Sequence, residues 1–347
     1  MAMDPIGRSP GAGIPPRLPK HLQGSSVRTG EYTRLAPGEL VPGRASLYKV
    51  LKRFGEEGGM SAVFMVENLD THQTQVLKAV MDVDHLSPEL QKVIPERFKD
   101  EIRVLSRINN PHVVRLLDID PDSFNPQFYV MEYAMGGSLI SYLEKVEAEA
   151  EKGQFEYSFN PFARAAIMAN VLDGLEAFAQ VAVTIFAGGA NAKFAHRDIK
   201  PDNIYIVMEN GKVKDVKIAD FGIVKLPNST KTVTGEWMGT PSYMAPELFL
   251  GAKNADQRSD NWAIGTMLYW LMTGVEPFVY LDEPANWQDF VNRPGDHVKA
   301  LMQRLDPKVP HAMWKIIFTA LHPKPEGRYH TYGEFKQALI DFLNSKR

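Results

Sequence analysis

Cysteine is absent from all 347 residues, which excludes a disulfide framework, thiolate catalysis and any cysteine-ligated metal. An excess of charge of one sign is missing too: 39 Lys and Arg stand against 42 Asp and Glu, for a formal net charge of -3 and a pI near 6.3. Without a basic excess, neither nucleic acid nor an anionic membrane is an expected partner. The lack of cysteine fits a reducing compartment, and the expectation is a cytoplasmic protein. The uncharged stretch from Asn261 to Val275, closed by Glu276, falls short of the about 20 apolar residues that a bilayer span needs and reads as a buried core helix. The segment from Met1 to Pro19 holds Gly and Pro in place of an apolar core, so no secretory leader is expected in it. What is present is globular in character, since 44% hydrophobic residues suffice for a substantial core.

Residues 1 to about 45 repeat Pro and Gly among few large apolar side chains, a composition that cannot offset chain ordering, so a flexible tail is expected there. From Ser46 onward the pattern changes to short apolar runs. Leu47 to Leu51, Ala62 to Val66 and Gln75 to Val80 read as hairpin-connected strands. Ser87-Pro88-Glu89 offers an N-cap, a proline at the first helical position and an acid in the first turn, and Pro95 marks the start of a second helix. Phe98, Ile102, Leu105 and Ile108 form one apolar stripe along that second helix. Strands over Val113 to Ile119 and Phe128 to Tyr133 complete a small mixed sheet with one main helix.

The remainder reads as mainly helical. Ser138 to Glu151 begins amphipathically and ends in an acidic, Ala-rich solvated face. Phe162 to Phe178 carries Ile167, Val171, Leu175 and Phe178 on one stripe and predicts a long core helix. The Ala-Gly-rich stretch up to Phe194, with Ala187-Gly188-Gly189-Ala190, is a helix extension or a loop. No internal repeat is present.

The chemistry concentrates in His196-Arg197-Asp198-Ile199-Lys200-Pro201-Asp202-Asn203, followed by Asp220-Phe221-Gly222 and Ala245-Pro246-Glu247. Asp198 is a candidate base, Lys200 a phosphate-directed cation, and Asn203 and Asp220 are hard-oxygen metal ligands. Any one of these carboxylates alone could be a surface group; their joint pattern suits phosphoryl transfer, which depends on positioning and charge neutralisation. Upstream, Gly55-Glu56-Glu57-Gly58-Gly59-Met60-Ser61-Ala62-Val63 lies between two strands. Glycines there let backbone N–H groups approach phosphate oxygens, although a plain hairpin turn explains the segment by itself equally well. Lys78 stands inside an apolar strand, either at a sheet edge or paired, because an unpaired buried ammonium is costly. Glu101 shares the inward stripe of the helix and supplies the partner.

These motifs resemble those of a Ser/Thr protein kinase of the eukaryotic-like (Hanks) type, from about Leu47 to Phe342. The resemblance implies an α+β bilobal fold in a domain of residues 46–345. A small N-lobe, about 46–132, would hold an antiparallel sheet with one main helix, and a larger, mostly helical C-lobe would span about 135–345. It implies that Lys78 holds the α and β phosphates of ATP and is held by Glu101, with Gly55, Gly58, Gly59, Met60, Ser61 and Val63 over the nucleotide. Met131 takes the gatekeeper position, Glu132, Tyr133 and Ala134 the adenine hinge, and Val76 and Tyr205 the two sides of the adenine slot. ATP with Mg²⁺, or Mn²⁺ in its place, is the implied cofactor, held by Asn203 and Asp220. Glu247 matches the residue that pairs with a distant arginine, here Arg328, and Asp260 the aspartate that anchors the catalytic-loop backbone. Lys200 and Gly239-Thr240-Pro241 point to serine or threonine in protein substrates as the acceptor, Thr240 bonding to Asp198 and Lys200. Arg197 implies an activation-loop phosphate, with Thr232 and Thr234, then Ser229 and Thr230, as candidates.

Three departures stand out. Two glutamates lengthen the glycine loop and Ser61 replaces its third glycine; Val76 stands where the family has alanine; Tyr205 stands where it has an aliphatic residue. They keep open a pseudokinase that binds partners without catalysis. A small-molecule phosphotransferase is a second rival, but it would lack the Gly-Thr-Pro and Ala-Pro-Glu segment. The Gly58-Gly59-Met60-Ser61 loop looks like that of bacterial kinases, which often continue into a membrane helix and sensor, so a catalytic portion of a longer protein is one reading. The sequence assigns no oligomeric state.

Overall fold

The computed structural model describes residues 31–345 apart from 55–60, 85, 123, 135, 154–159, 187–194, 197, 211, 221–240 and 251–255. Contacts divide the chain into two compact units: one runs to Asn109 and includes Val114–Tyr133, the other holds Asn110–Val113 and everything from Ala134.

The first unit is built on six strands: β1 (Leu40–Pro42), β2 (Leu47–Phe54), β3 (Ser61–Asn68), β4 (Thr74–Val80), β5 (Leu116–Ile119) and β6 (Phe128–Glu132), in the spatial order β1-β2-β3-β4-β6-β5. Every pairing is antiparallel, so the sheet is not mixed as the strand runs alone suggested. Burial alternates along β3, as a half-covered strand requires, whereas β4 is buried from Gln75 to Val80. A lysine within β4 is therefore an interior residue rather than an edge one.

Two expectations need correction here. The flexible tail does not extend to residue 45. Tyr32, Leu35, Leu40 and Val41 are buried, and Tyr32 meets the ring of Phe128 edge-on at 4.8 Å. Tyr32, Leu35 and Val41 form one apolar cluster with Val50, Phe64 and Leu77, and the buried Asp118 carboxylate accepts from the N–H groups of Ala45 and Ser46 and from the Tyr48 hydroxyl. A few apolar side chains suffice when a sheet face is there to receive them, and composition does not reveal that partner. Residues 1–30 lie outside the described residues.

Likewise, Pro95 does not begin a helix. A single helix, α1, runs Pro88–Leu105 with Pro95 inside it. The buried stripe of Ile94, Phe98, Ile102 and Leu105 passes through that turn, and its burial outweighs the hydrogen bond that a proline removes. Ser87 occupies the N-cap with extended backbone but makes no side-chain cap bond.

The second unit comprises α2 (Leu139–Glu151), α3 (Pro161–Phe186), the hairpin of β7 (Ile204–Glu209) and β8 (Lys212–Ile218), and then α4 (Pro246–Phe249), α5 (Gln257–Thr273), α6 (Trp287–Asn292), α7 (Pro294–Met302), α8 (His311–Ala320) and α9 (Tyr332–Asn344). α3 buries Ile167, Val171, Leu175 and Phe178 as its stripe predicts, and it continues through half of the Ala-Gly-rich stretch. Among the described helices it alone is long and apolar enough to cross a membrane, but 56% of that window is buried inside the protein, against α9, β8 and α5. α5 carries most of the uncharged stretch behind a charged first turn with Arg258 and Asp260, and is buried from Ser259 to Met272. It approaches α8 closely at Gly265, where a Cβ would lie 2.8 Å from the Cβ of Ala320, and it ends at Gly274 with φ 73°, a left-handed cap that glycine adopts freely.

Candidate active site

In the first unit, sheet register places Lys78 between Val63 on β3 and Tyr129 on β6. Its Nζ lies 2.9 Å from Oε1 and 3.1 Å from Oε2 of Glu101, with the two side chains 4% and 0% exposed. This is the pairing anticipated for these two residues. Sequence reasoning missed the third member, Tyr129. Its hydroxyl donates to Glu101 Oε1 at 3.0 Å, its ring lies 5.8 Å from the Lys78 ammonium, and Phe98 packs on that ring at 5.4 Å. The only sequence signal for it was a tyrosine in an otherwise apolar strand, and its meaning depends on register. A buried ion pair of this kind contributes position rather than stability, since desolvation cancels most of the Coulomb gain.

Val76 stands opposite Met131 on β6 and Met65 on β3. Val76 and Met131 are buried, Glu132 and Tyr133 are half-buried, and Ala134 is buried at the start of the second unit. Glu132 exchanges main-chain and side-chain bonds with the backbone of Arg115, and Tyr133 stacks on Phe54 at 6.3 Å. Ser61 pairs with Val80. Gly55, Gly58, Gly59 and Met60 lie outside the described residues.

In the second unit, the loop before β7 is fastened at several points. The main-chain N–H of His196 donates to Asp260 Oδ2 at 2.6 Å, so Asp260 anchors this backbone as expected. The Tyr332 hydroxyl donates to the same oxygen, and the His196 ring packs against Phe178 at 5.7 Å. His196 and Tyr332 are two further residues that the motifs alone did not single out. Asp198 is half-buried, with its N–H directed at His196 Nδ1 at 3.3 Å. Asn203 Nδ2 donates to the Asp198 carbonyl at 2.9 Å and approaches its carboxylate at 3.4 Å. Lys200 stands at the N-cap position of the short turn Pro201–Asn203, without a side-chain cap bond. Tyr205 follows on β7, half-buried, bridged to Ser138.

Asn203 and Asp220 are brought together by backbone: the Ala219 N–H donates to the Asn203 carbonyl at 2.9 Å. Asp220 itself has φ 59°, a left-handed conformation that Asp tolerates better than most residues and that strained functional positions often show. With its amide nitrogen committed to Asp198, Asn203 presents its carbonyl oxygen. An amide oxygen and a carboxylate are both hard donors of the kind a divalent metal takes. Arg197, Ser229, Thr230, Thr232, Thr234 and Thr240 lie outside the described residues.

Farther along, Glu247 and Arg328 form a bidentate pair, Nη1–Oε1 2.8 Å and Nη2–Oε2 2.9 Å. Ser259 adds a hydroxyl to Glu247 Oε1 at 2.7 Å. The guanidinium also donates to the carbonyls of His322, Arg258 and Pro323 and lies 5.0 Å from the Trp262 ring.

The protein kinase domain family matches residues 48–339. The serine/threonine-protein kinase Pkn1 of Myxococcus xanthus is 31% identical over 325 residues, 91% of this chain and 42% of its own length. PknL of Mycobacterium tuberculosis, a serine/threonine-protein kinase, is 34% identical over 257 residues, 74% of this chain and 53% of its own. Myosin light chain kinase A of Dictyostelium discoideum is 31% identical over 232 residues, covering 67% of this chain and 68% of its own length. The chain spans about half the length of the bacterial relatives it matches. Family and relatives give the pseudokinase reading no support, and the chain belongs to the protein kinase domain family, in its Ser/Thr branch, which uses ATP with a divalent metal.

Proposed function

We propose that this chain transfers the γ-phosphate of ATP to serine or threonine of protein substrates in the cytoplasm, with Mg²⁺ as the metal, and that it phosphorylates its own segment between Asp220 and Glu247. The observation that carries the reading is the tie from Asn203 to Asp198 together with the Lys78–Glu101 pair. These are the groups that phosphoryl transfer needs, held by their own neighbours.

Asp198 orients the acceptor hydroxyl and takes its proton late, a role that typically contributes about 10² to 10⁴ in rate. Lys200 compensates charge on the transferring phosphate, and Lys78 positions the α and β phosphates. Asn203 and Asp220 would hold the metal, whose chemistry is to neutralise charge on the phosphate oxygens. Val76, Met131 and the backbone of Glu132 to Ala134 would receive adenine.

The test is to incubate the purified chain with ATP and Mg²⁺ beside Asp198→Asn, and to map phosphate by intact mass and peptide sequencing. Phosphothreonine or phosphoserine in the parent alone is the expected result. Equal phosphorylation of both proteins, or none on the chain and on an added generic Ser/Thr substrate, overturns it. Replacing Mg²⁺ by Mn²⁺ or Ca²⁺ in the same assay checks the metal.

A further inference from the structure

Within the second unit, α2, the first turns of α3 and the β7–β8 hairpin line a half-open pocket of about 640 Å³, inside the range of about 300–1,000 Å³ usual for small-molecule sites. Asp198, Lys200, Asn203 and Asp220 do not line it. Its apolar wall is made by Ala166 and Ile167 of α3, Ile206 and Met208 of β7, and Val213 of β8. Ala166 is half-buried and Met208 exposed, so this wall is open to a ligand rather than sealed by the core.

Charge on the cavity is unevenly spent. Asp215 is the only carboxylate among the described lining residues, and it is engaged. Asn170 Nδ2 donates to its Oδ1 at 3.0 Å, the Val216 N–H at 2.8 Å, and a His112 ring nitrogen lies 2.8 Å away. On the cationic side, Lys214 is paired with Glu209 at 2.7 Å, but Lys145 is exposed and makes no hydrogen bond or ion pair among the described residues. Arg164 is 2% exposed; it donates to the Leu271 carbonyl in the last turn of α5. Burial pulls its pKa down, with Tyr142 and Glu149 the groups facing it.

Arg164 stands in the first turns of α3, at the positive end of its dipole, and that first turn holds no acidic residue. The lining thus combines two cations, Lys145 and Arg164, with an apolar wall, while Asp215 and Lys214 are engaged with their own partners. We infer that the pocket binds a small amphipathic carboxylate, with the head at Lys145 and Arg164 and the hydrocarbon body against α3 and the β7–β8 hairpin.

Binding, not phosphate transfer, is the readout, so the test is independent of the kinase reading. Decanoate, with decan-1-ol as its uncharged counterpart, is titrated below its micellar concentration into the full chain carrying ¹³C-labelled Ile, Val and Met methyl groups. Calorimetry gives affinity and methyl shifts give place. The expected result is decanoate binding with shifts concentrated at Ile167, Ile206, Met208 and Val213, weakened about tenfold or more by Ala166→Phe, which fills the cavity. Lys145→Glu, a surface change that leaves packing intact, is expected to weaken decanoate about fivefold or more and to leave decan-1-ol unchanged. Shifts located elsewhere, decan-1-ol binding as tightly as decanoate, or indifference to Lys145→Glu each overturns the inference.

Discussion

The main-chain N–H of His196 lies 2.6 Å from Asp260 Oδ2, which ties the residue two before the candidate base to the first turn of α5. Tyr332 donates to the same oxygen, and burial, then the charge of Asp260, pushes its phenol far above its ordinary range. Tyr332 therefore stays a donor at any working pH. Tyr332→Phe removes a hydrogen bond to a charged group, expected to cost about 1.5–3 kcal/mol. Chemical denaturation of the two proteins checks this, and equal midpoints would show that the hydroxyl contributes nothing.

The bidentate Glu247–Arg328 pair predicts a second stability loss. Arg328→Ala strands a mostly buried carboxylate, and Glu247→Ala strands a guanidinium whose side chain is 0% exposed. Each is expected to cost about 3–5 kcal/mol. The double variant should cost clearly less than the two losses added, because neither charge is then left alone. Additive losses in a double-mutant cycle would refute the coupling.

Tyr129→Phe keeps the ring under Lys78 and removes only the hydroxyl on Glu101. Autophosphorylation is expected to slow by about tenfold with thermal midpoint nearly unchanged, whereas Lys78→Met should lose about 10² or more in rate by mispositioning phosphates. A Tyr129→Phe protein as fast as the parent would reduce the tyrosine to a packing element.

Residues 31–46 are predicted to belong to the folded unit although the family match begins at residue 48. Removing Tyr32, Leu35, Leu40 and Val41 from the sheet uncovers apolar side chains whose burial is worth about 1.5–3 kcal/mol each before chain ordering is deducted. A chain starting at Leu47 should melt several degrees below one starting at Glu31, at about 2–4 °C per kcal/mol for a domain of this size. Identical melting would return the segment to the status of a tail.

A pH dependence attaches to Asp173 on α3. Burial works against its charge, but hydrogen bonds from Asn110 and Lys336, with the positive charge of Lys336, hold its carboxyl below the usual carboxylate range. A depressed folded pKa gives stability that is present above the unfolded value and lost as pH falls through the folded one. Burial opposes the Lys336 charge too, but bonds to Glu176 and Asp173 raise its pKa on balance, so its contribution is lost only at strongly alkaline pH. The penalty of Asp173→Asn should therefore be full near neutrality and fade below about pH 4. Urea midpoints of both proteins across that range test it, and a penalty independent of pH would exclude the charge as its source.

Much of this molecule is legible in its linear order. The apolar runs located β2, β3, β4 and α1, and the stripe of Ile167, Val171, Leu175 and Phe178 located α3, because those patterns follow the periods of the backbone itself. Hard-oxygen and basic side chains clustered between His196 and Asp220 pointed to phosphoryl transfer, since that chemistry depends on residue type at short range. Pro95 was misread because local propensity argues for a helix start there, while the decision rests with the burial of Ile94 and Phe98 on the same face.

The sequence by itself determined the kinase motifs, the two-part division of strands and helices, and the identity of Lys78, Glu101, Glu247, Arg328 and Asp260 as partners in waiting. Only the tertiary structure decided that Tyr129 joins Lys78 and Glu101, that Tyr332 joins His196 and Asp260, that residues 31–45 cover a sheet, and that α2, α3 and β7–β8 line a half-open pocket. Each of these depends on register or on packing between elements far apart in the chain, and side-chain type carries no record of which distant surface will meet it.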